Sequence, residues 1–483
     1  MMRVLFVASE CAPFVKTGGL ADVIGALPKA LDLLGAETRV MLPAYPALRE
    51  LMAGGRAELD LGSLHGGPAR IVEVEASGIR LILLDAPHLF DRPGNPYLGA
   101  DGRDWPDNHL RYGALGWAAA KVAWDGLAGW KPDIVNAHDW QAGLVPAYLK
   151  LGARPAPPTV ITIHNIAFQG LFPQSSVEAL GLPDSAFTVD GYEFYGQLGF
   201  LKAGLTYADR ITTVSPTYAR ELMTPEFGMG LEGVLASRRG VLTGILNGVD
   251  LEAWNPATDG AIANPYSTRT WRRKSVNKTA LERRFGFSSD ATAPLFCVIS
   301  RLTRQKGLDL LLEALPRLTL RGARLVLLGS GDTDLETGYL NAARLTPESV
   351  GVVIGYDEPL SHLMQAGADA ILIPSRFEPC GLTQLYGLRY GTLPVVARTG
   401  GLADTVIDAN QAAMETGCAT GFQFAPIATP ALGDAIDRAC DVYENTKAWQ
   451  AMVRQAMRQP VGWDRSARAY LALYRSLIEP IDG

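Results

Sequence analysis

A glycine-rich segment near the amino terminus, Lys16-Thr17-Gly18-Gly19-Leu20, has residue types that could hold an anion. Glycine permits positive φ angles and lets backbone N–H groups approach an anion without a Cβ in the way. A helix that begins after the segment would add the positive end of its dipole, and Lys16 would add a full charge. The segment therefore predicts a phosphate grip, although a tight strand-to-helix turn with a solvated lysine would also explain it.

The glycine segment belongs to an internal repeat. Thr17-Gly18-Gly19-Leu20-Ala21-Asp22 recurs letter for letter as Thr399-Gly400-Gly401-Leu402-Ala403-Asp404. Each copy follows a predicted strand and opens a predicted helix, and this shared context argues against a chance match. We therefore predict two Rossmann-like halves that face each other across a cleft. Each half would direct a glycine turn and a helix N-terminus into that cleft.

A pair of cations follows a predicted strand at residues 295–300. Arg301 and Lys306 stand at the carboxyl end of this strand and at the start of a helix, where α/β sheets bind ligands. Two positive charges at a helix N-terminus interact unfavourably with the helix dipole unless an anion lies between them. A bidentate arginine and a point-charge lysine suit a diphosphate, while solvated surface charge is the alternative interpretation.

A carboxylate occupies a similar position farther along the chain. Glu378 lies between Phe377 and Pro379, after an apolar run at 371–373 and before a helix predicted near Gly381. A carboxylate there could accept hydrogen bonds from sugar hydroxyls or stabilise positive charge that develops at an anomeric carbon. An acid that stabilises the start of the following helix would explain the same spacing.

Three polar clusters end predicted strands in the amino-terminal half. His138-Asp139-Trp140-Gln141 follows a strand at 134–136, His164-Asn165 follows one at 160–163, and Glu10 ends the first strand. A single histidine is more often structural, but two at strand ends beside amide or carboxylate groups indicate a polar site.

These residues must be positioned by strand-length apolar runs that alternate with helix-length amphipathic segments along the chain. The runs are continuous, which is typical of parallel strands covered on both faces and indicates an α/β fold. A stretch at 247–289, rich in Asn, Asp, Pro and Arg, fits an interdomain connection. We predict one domain at 1–243, a second at 244–462, and a terminal helix at 463–483 that could pack on either domain. The predicted strands lie at 4–8, 81–84, 134–136, 160–163, 211–214, 295–300, 324–328, 350–354, 370–373 and 394–397.

The composition narrows the class of protein. The 483 residues exceed what one hydrophobic core usually serves, and 48% hydrophobic with 19% charged residues is typical of a globular chain. A formal net charge of -6 gives no general attraction to nucleic acid or to an anionic membrane. Five scattered cysteines argue against a disulfide framework, and no run approaches the ~18 apolar residues of a membrane span. We therefore expect a cytoplasmic protein that binds neither nucleic acid nor membrane.

Taken together, the motifs resemble those of the bacterial glycogen synthase and plant starch synthase family. The resemblance runs from the first strand to the Trp463 region and covers nearly the whole chain. It implies a GT-B fold of two Rossmann-like domains. It also implies a retaining glucosyltransferase that elongates an α-1,4-glucan, such as glycogen, from ADP-glucose. The motifs occur in the order Lys16-Thr17-Gly18-Gly19-Leu20, His138-Asp139-Trp140, His164-Asn165, Asn247-Gly248-Val249-Asp250, Ser300-Arg301-Leu302, Lys306-Gly307 and Arg376-Phe377-Glu378-Pro379-Cys380-Gly381-Leu382.

The resemblance also implies roles for individual residues. The diphosphate would be held by Arg301 and Lys306, and the adenine would stack on Tyr356. The catalytic residues would be Lys16, Asp139, His164, Arg301, Lys306 and Glu378. The donor-binding residues would be Lys16, Gly18, Gly19, Asn165, Asn247, Arg301, Lys306, Tyr356, Cys380, Gly381, Leu382 and Thr383. The acceptor side would contain Glu10, His138 and Asp139.

No metal or cofactor is expected. Many nucleotide-sugar enzymes bind a metal through Asp-x-Asp, and this chain has the triplet Asp332-Thr333-Asp334. A turn explains the triplet, and side-chain cations can take the metal's place. Related glycosyltransferases often carry a second glutamate eight positions after the first, but Tyr386 stands there in this chain, so no second acid is assigned.

Two other classes of protein would use part of this pattern. A nicotinamide dehydrogenase needs G-x-G-x-x-G and an acid at the end of the next strand, which the first glycine segment does not provide. A catalytically silent glucan-binding protein would have no use for paired cations that suit a diphosphate. Release of ADP from ADP-glucose in the presence of glycogen separates the three interpretations.

Overall fold

The computed structural model describes residues 1–479, and its internal contacts divide the chain into two compact units. The first unit comprises Met1–Asn247 and the chain from Trp463 onward, and the second comprises Gly248–Gly462. The division falls four residues beyond the predicted position. The reason is the strand Leu242–Gly244, which pairs in parallel with Arg210–Thr213 and so belongs to the sheet of the first unit.

The first unit is built around a sheet with the strand order β12-β11-β7-β6-β1-β2-β5-β4-β3. All neighbours pair in parallel except at β4, which is antiparallel to both of its neighbours, β3 and β5. The chain between β7 and β11 forms a separate small antiparallel sheet with the order β8-β10-β9. The strands are β1 Met2–Val7, β2 Ala36–Pro43, β3 Arg56–Leu64, β4 Gly67–Ala76, β5 Ile79–Asp85, β6 Ile134–His138, β7 Thr159–Ile163, β8 Leu171–Pro173, β9 Glu193–Phe194, β10 Gln197–Gly199, β11 Arg210–Thr213 and β12 Leu242–Gly244.

Helices connect the parallel strands of this sheet. The strands β6 and β7 are buried at every position, as expected for parallel strands covered on both faces. The helices before residue 247 are α1 Gly19–Asp32, α2 Arg49–Ala53, α3 Pro87–Phe90, α4 Asn108–Asp125, α5 Leu144–Leu151, α6 Ser176–Ala179, α7 Phe200–Tyr207, α8 Pro216–Glu221 and α9 Glu232–Ser237.

The second unit has an entirely parallel sheet with the order β15-β14-β13-β16-β17-β18. Its strands are β13 Leu295–Ile299, β14 Arg324–Gly329, β15 Val350–Ile354, β16 Ala370–Ile373, β17 Leu393–Ala397 and β18 Phe422–Phe424. Apolar clusters cover both faces of the sheet. The helices are α10 Lys274–Arg284, α11 Leu308–Leu320, α12 Thr333–Leu345, α13 Glu358–Gly367, α14 Thr383–Tyr390, α15 Gly400–Thr405, α16 Gln411–Thr416, α17 Thr429–Glu444 and α18 Thr446–Ala456. The predicted α/β class with two Rossmann-like domains is thus confirmed.

The last helix, α19 (Trp463–Ile478), returns to the first unit. The hydroxyl of Ser466 donates to the carbonyl of Leu246 over 2.5 Å, and Tyr474 is fully buried. The end of the segment predicted as helical, 480–483, lies outside the described residues. Within residues 1–479, no helix is both long enough and apolar enough to cross a membrane.

Candidate active site

A pocket of about 180 Å³ lies at the carboxyl ends of β13 and β16. These two strands are neighbours at the point where the strand order reverses, which is where open α/β sheets bind ligands. Residues from two separate loops and from the start of α14 line it. The predicted residues that the structure brings together here are Arg301, Lys306, Glu378, Gly381, Leu382 and Thr383.

Glu378 and Lys306 form an ion pair inside this pocket. Lys306 Nζ lies 2.5 Å from Glu378 Oε2, and the buried hydroxyl of Ser375 donates to the same oxygen over 2.9 Å. Glu378 is only 7% exposed, so its charge needs these partners. Sequence reasoning did not assign Ser375 to the site, although its position three residues before Glu378 in the same loop was a usable signal.

Close backbone contact holds the two loops of the pocket together. Gly307 has a φ of 68° at the start of α11, and a Cβ on it would lie 1.9 Å from the carbonyl oxygen of Pro374. The amide of Arg376 donates to the carbonyl of Gln305 over 2.9 Å. Because the loops are locked in this way, Lys306 and Glu378 are positioned relative to each other by the main chain.

The second copy of the repeat supports the Glu378 loop through close main-chain contacts. Gly400 has a φ of 44°, and a Cβ on it would lie 1.9 Å from the carbonyl oxygen of Glu378. The amide of Gly401 donates to the carbonyls of Glu378 and Pro379 over 3.2 and 3.1 Å. The amide of Gly401 is therefore engaged by the protein itself, and the direction of this turn toward an anion stays a prediction. Its glycines are needed because two main chains meet there.

Other predicted donor residues lie around or apart from the pocket. Tyr356 follows β15 and is 81% exposed, with its hydroxyl donating to the carboxylate of Glu358. Cys380 is buried, and its carbonyl accepts a hydrogen bond from Gln384. The acids of the Asp-x-Asp triplet lie at the start of α12, where Asp332 precedes the helix and Asp334 lies in the first turn. A negative charge at that position interacts favourably with the helix dipole.

In the first unit, the turn before α1 encloses a carboxylate of the protein itself. Glu10 Oε2 accepts from the amides of Thr17 and Gly18 over 2.5 and 3.1 Å, and Oε1 accepts from the hydroxyl of Thr17 over 2.6 Å. Glu10 is 3% exposed. An internal anion thus already engages the amides of Thr17 and Gly18, and the contact of Gly18 and Gly19 with a phosphate stays a prediction.

The glycines of this first copy do not use the left-handed region. Gly18 has a φ of −156°, and Gly19 is not among the residues with positive φ. A Cβ on Gly18 would meet no atom within 4 Å, so the space beside it is open. Lys16 Nζ pairs with Asp22 Oδ1 over 2.8 Å and remains partly exposed.

Tyr97 is a residue of this site that the sequence did not reveal. Its hydroxyl donates to Glu10 Oε1 and lies 2.8 Å from the hydroxyl of Ser9. It stands on an irregular segment 87 residues from Glu10. No spacing or periodicity in the sequence points to this contact.

The histidine clusters meet at the ends of the neighbouring strands β6 and β7. His138 Nδ1 lies 2.9 Å from His164 Nε2. Asp139 has a φ of 54°, and its Oδ1 accepts from the amides of His164 and Asn165 over 2.7 and 3.5 Å. The side chain of Asn165 accepts from the amide of Ala167, which fixes a local turn.

Burial sets the protonation of these groups. It raises the pKa of Asp139 to about 7, despite the hydrogen bonds from the amides of His164 and Asn165, which lower it. It lowers the pKa of His164 to about 3 and holds the pKa of His138 well below its ordinary value. Both imidazoles are therefore neutral near pH 7, and Asp139 titrates close to neutrality.

Asn247 ends the first unit and is 9% exposed. Within the described part of the chain, its buried Oδ1 accepts no hydrogen bond. A buried amide oxygen without a partner costs free energy, so this atom is a candidate acceptor for a ligand hydroxyl.

Two protein-family models match this chain. Residues 3–237 match the starch synthase catalytic domain, and residues 281–456 match the glycosyl transferases group 1. Together with two Rossmann-like units and a cationic pocket at a sheet's switch point, these matches define a glycosyltransferase of the GT-B fold class. The protein is therefore an enzyme.

Full-length relatives identify the family. Glycogen synthase of Roseobacter denitrificans is 64% identical over 99% of this chain and 100% of its own length. Glycogen synthase of Rhodopseudomonas palustris is 53% identical over 99% of this chain and 98% of its own. The catalytic domain of starch synthase IV from Arabidopsis thaliana, bound to ADP and acarbose, matches with a TM-score of 0.88 at 31% identity, covering 99% of both chains. The chain belongs to the bacterial glycogen synthase and plant starch synthase family, and its reaction is glucosyl transfer in glycogen synthesis.

Proposed function

We propose that this enzyme transfers glucose from ADP-glucose to the non-reducing end of an α-1,4-glucan with retention of configuration. The observation that carries the proposal is the pocket at the β13–β16 switch point, where Arg301, Lys306 and Glu378 line one small volume. A nucleotide diphosphate-sugar needs a cationic grip for the diphosphate and polar groups for the sugar, and this pocket contains both. The second unit is the donor side in this proposal, and the first unit supplies acceptor-side groups.

On the donor side, Arg301 and Lys306 bind the diphosphate, and Thr383 donates to it from the start of α14. Lys306 has Glu378 as its counter-ion. A diphosphate is a second anion for the same ammonium group, which can donate three hydrogen bonds. Glu378 keeps the hydrogen bond from Ser375 when Lys306 turns toward phosphate, so it stays in place beside the glucose. The proposal also assigns donor contacts to Cys380, Gly381 and Leu382, and adenine stacking to the exposed Tyr356.

The first unit contributes Lys16 as a cation for the distal phosphate. Its side chain is partly exposed, and its ammonium group pairs with Asp22. The open space beside Gly18 lets substrate approach the main chain. His164, Asn165 and Asn247 supply hydrogen bonds to the glucose. Asp139 lies near the acceptor hydroxyl, Glu10 positions the Lys16 loop through the amides of residues 17 and 18, and His138 holds His164.

We infer a front-face mechanism. In this mechanism the acceptor hydroxyl attacks the anomeric carbon as the bond to ADP breaks, and a leaving phosphate oxygen takes the hydroxyl proton. Fixed positive charge that faces the developing negative charge of ADP supplies most of the acceleration. No metal takes part in this proposal, and the reaction is cytoplasmic. The five free cysteines are consistent with a reducing compartment.

The experiment compares ADP-glucose with UDP-glucose as donors, with glycogen as acceptor and excess chelator present, and measures release of the nucleoside diphosphate. We expect ADP release from ADP-glucose and much slower turnover of UDP-glucose. Absence of ADP release would favour a silent glucan-binding protein, and a strict requirement for magnesium would contradict the side-chain grip.

Lys306→Ala tests the grip itself, with Arg304→Ala as the matched control. Arg304 stands on the same loop and is exposed outside the pocket. Loss of a charge-assisted contact to the diphosphate costs about 1.5–3 kcal/mol, so kcat/KM of Lys306→Ala should fall by roughly 10- to 150-fold. Arg304→Ala should stay within about twofold. Equal kcat/KM in both variants would overturn the assignment.

A further inference from the structure

A buried hydrogen-bond chain runs through the first unit from α19 to His164. The amide nitrogen of Asn136 lies 3.1 Å from the hydroxyl of Tyr474 and 2.9 Å from His138 Nε2. His138 Nδ1 lies 2.9 Å from His164 Nε2. Asn136, His138 and Tyr474 are fully buried, so no water competes for these contacts.

The oxygen of the Asn136 amide has a partner on the neighbouring strand. The hydroxyl of Thr162 donates to Asn136 Oδ1 over 3.0 Å and lies 2.7 Å from the hydroxyl of Thr212. The structure places the amide nitrogen on the other side, next to His138 and Tyr474. An amide nitrogen can only donate, and its two hydrogens match these two partners.

The chain dictates where each imidazole carries its proton. Because Asn136 donates to His138 Nε2, that nitrogen must be bare, and a neutral His138 carries its proton on Nδ1. His138 then donates to His164 Nε2, which must also be bare. His164 is left with its proton on Nδ1. Phe6, stacked on His138 at a centroid distance of 5.5 Å, restrains the ring.

We infer that Asn136 is a positioning residue that sets the tautomer of His164, so that His164 presents an Nδ1–H donor to an oxygen of the sugar. The inference rests on the proposed function, which places His164 beside the glucose. Tyr474 holds the second hydrogen of the amide and thereby keeps Asn136 in register. Neither Asn136 nor Tyr474 contacts substrate in this scheme, and both act through His138.

The direct test is ¹⁵N NMR of the full-length enzyme labelled at its six histidines. A protonated and a bare imidazole nitrogen have well separated shifts, and the signals of His164 are assigned with His164→Gln. We expect neutral His138 and His164 at pH 7.5, each protonated on Nδ1. A His164 protonated on Nε2 overturns the inference whatever the activity of the enzyme.

The functional test is Asn136→Leu, a substitution of similar size that removes the donor. We expect His164 to populate both tautomers and kcat to fall about 2- to 10-fold, the value of one neutral hydrogen bond, with KM for ADP-glucose little changed. A stable Asn136→Leu enzyme that keeps both the wild-type tautomer and kcat would overturn the inference. A variant that only melts at lower temperature while keeping the tautomer would show a merely structural role and overturn it as well.

Arg468→Ala is the control, because this exposed substitution on the same helix as Tyr474 leaves the whole hydrogen-bond chain in place. Its tautomer should be that of the wild type and its kcat within about twofold. Failure of the proposed function is distinguishable, because it appears as absence of ADP release by the wild-type enzyme, while the tautomers are measured without substrate.

Discussion

Replacing the first glycine of the repeat by alanine should affect stability and activity very differently in the two copies, at Gly400 and at Gly18. At Gly400 the new Cβ would lie 1.9 Å from the carbonyl oxygen of Glu378, where real Cβ contacts stay beyond 3.0 Å. The loop of Glu378 must therefore move by about 1 Å. At Gly18 the new Cβ would meet no atom within 4 Å, and the φ of −156° suits any residue.

The size of the effect at Gly400 follows from these distances. An alanine in the left-handed region costs about 1–2 kcal/mol, and forced repacking against the main chain costs about 1–3 kcal/mol. The free energy of unfolding should thus fall by about 2–5 kcal/mol. A displacement near 1 Å of a group at the reacting centre can lower a rate by about 100-fold, so kcat of Gly400→Ala should fall by about that factor.

The assay is kcat at saturating ADP-glucose and glycogen, together with urea unfolding of each variant. Gly18→Ala should unfold within about 0.5 kcal/mol of the wild type, and any loss of its activity would then report on ligand contact. Activity of Gly400→Ala is compared only at temperatures where circular dichroism shows it folded. Wild-type kcat and wild-type unfolding in Gly400→Ala would refute the conclusion that this copy supports the Glu378 loop.

Two further predictions concern buried carboxylates of the first unit. Glu10→Gln should lower the free energy of unfolding by about 1.5–3 kcal/mol, because an amide cannot accept all the hydrogen bonds that the Glu10 carboxylate accepts. Glu50→Gln, a substitution at an exposed position, is the control. Equal urea midpoints for the two variants would contradict the role of Glu10. The second prediction concerns Asp139, whose pKa in the folded protein is about 7, above its ordinary 3.8. Between these two values the native state binds a proton that the unfolded state has released. As pH rises from about 4 to about 7, the free energy of unfolding of the wild type should therefore fall by about 4 kcal/mol relative to that of Asp139→Asn. His138 and His164 contribute in the opposite direction, because their lowered pKa values reduce the free energy of unfolding below pH 6.5. This contribution cancels in the difference between the free energies of unfolding of the wild type and of Asp139→Asn. A difference that stays constant from about pH 4 to about pH 7 would exclude the raised pKa of Asp139.

The strands that could be predicted are those that form short, continuous apolar runs in the sequence. The runs at 350–354 and 370–373 match β15 and β16 to the residue, because both are of strand length and rich in β-branched residues. The strands β2, β3 and β4 were not predicted. β3 and β4 form an edge hairpin with many exposed positions. The first half of β2 contains Glu37 and Arg39, which form ion pairs.

The meeting of Arg301, Lys306 and Glu378 in one pocket could be predicted because loops at strand ends carry them. Arg301, Lys306 and Glu378 were found by their position after β13 and β16, and the fold brings those two ends together. The role of the glycines could not be predicted. Whether a glycine serves a positive φ, a close main-chain approach or an open space depends on the atom opposite it, which lies far away in sequence.

The polar chain behind His164 was equally beyond sequence reasoning. Asn136 lies inside the strand that the structure extends to His138, and Tyr474 lies inside a helix 338 residues away. A polar residue inside a buried strand is nevertheless a signal, because a buried amide must find partners. A buried amide in a strand therefore indicates hydrogen-bond partners elsewhere in the chain that belong to the same site.

The return of α19 to the first unit has a consequence for how the protein is made. The ribosome synthesises residues 1–247, then the whole second unit, and only afterwards the helix that contains Ser466 and Tyr474. Throughout translation of the second unit, the nascent first unit therefore lacks the partner of Asn136 and the donor to the Leu246 carbonyl. The order of synthesis thus delays the finished His164 site until the last turns of the chain have emerged, and premature termination within α19 damages the half of the enzyme that was made first.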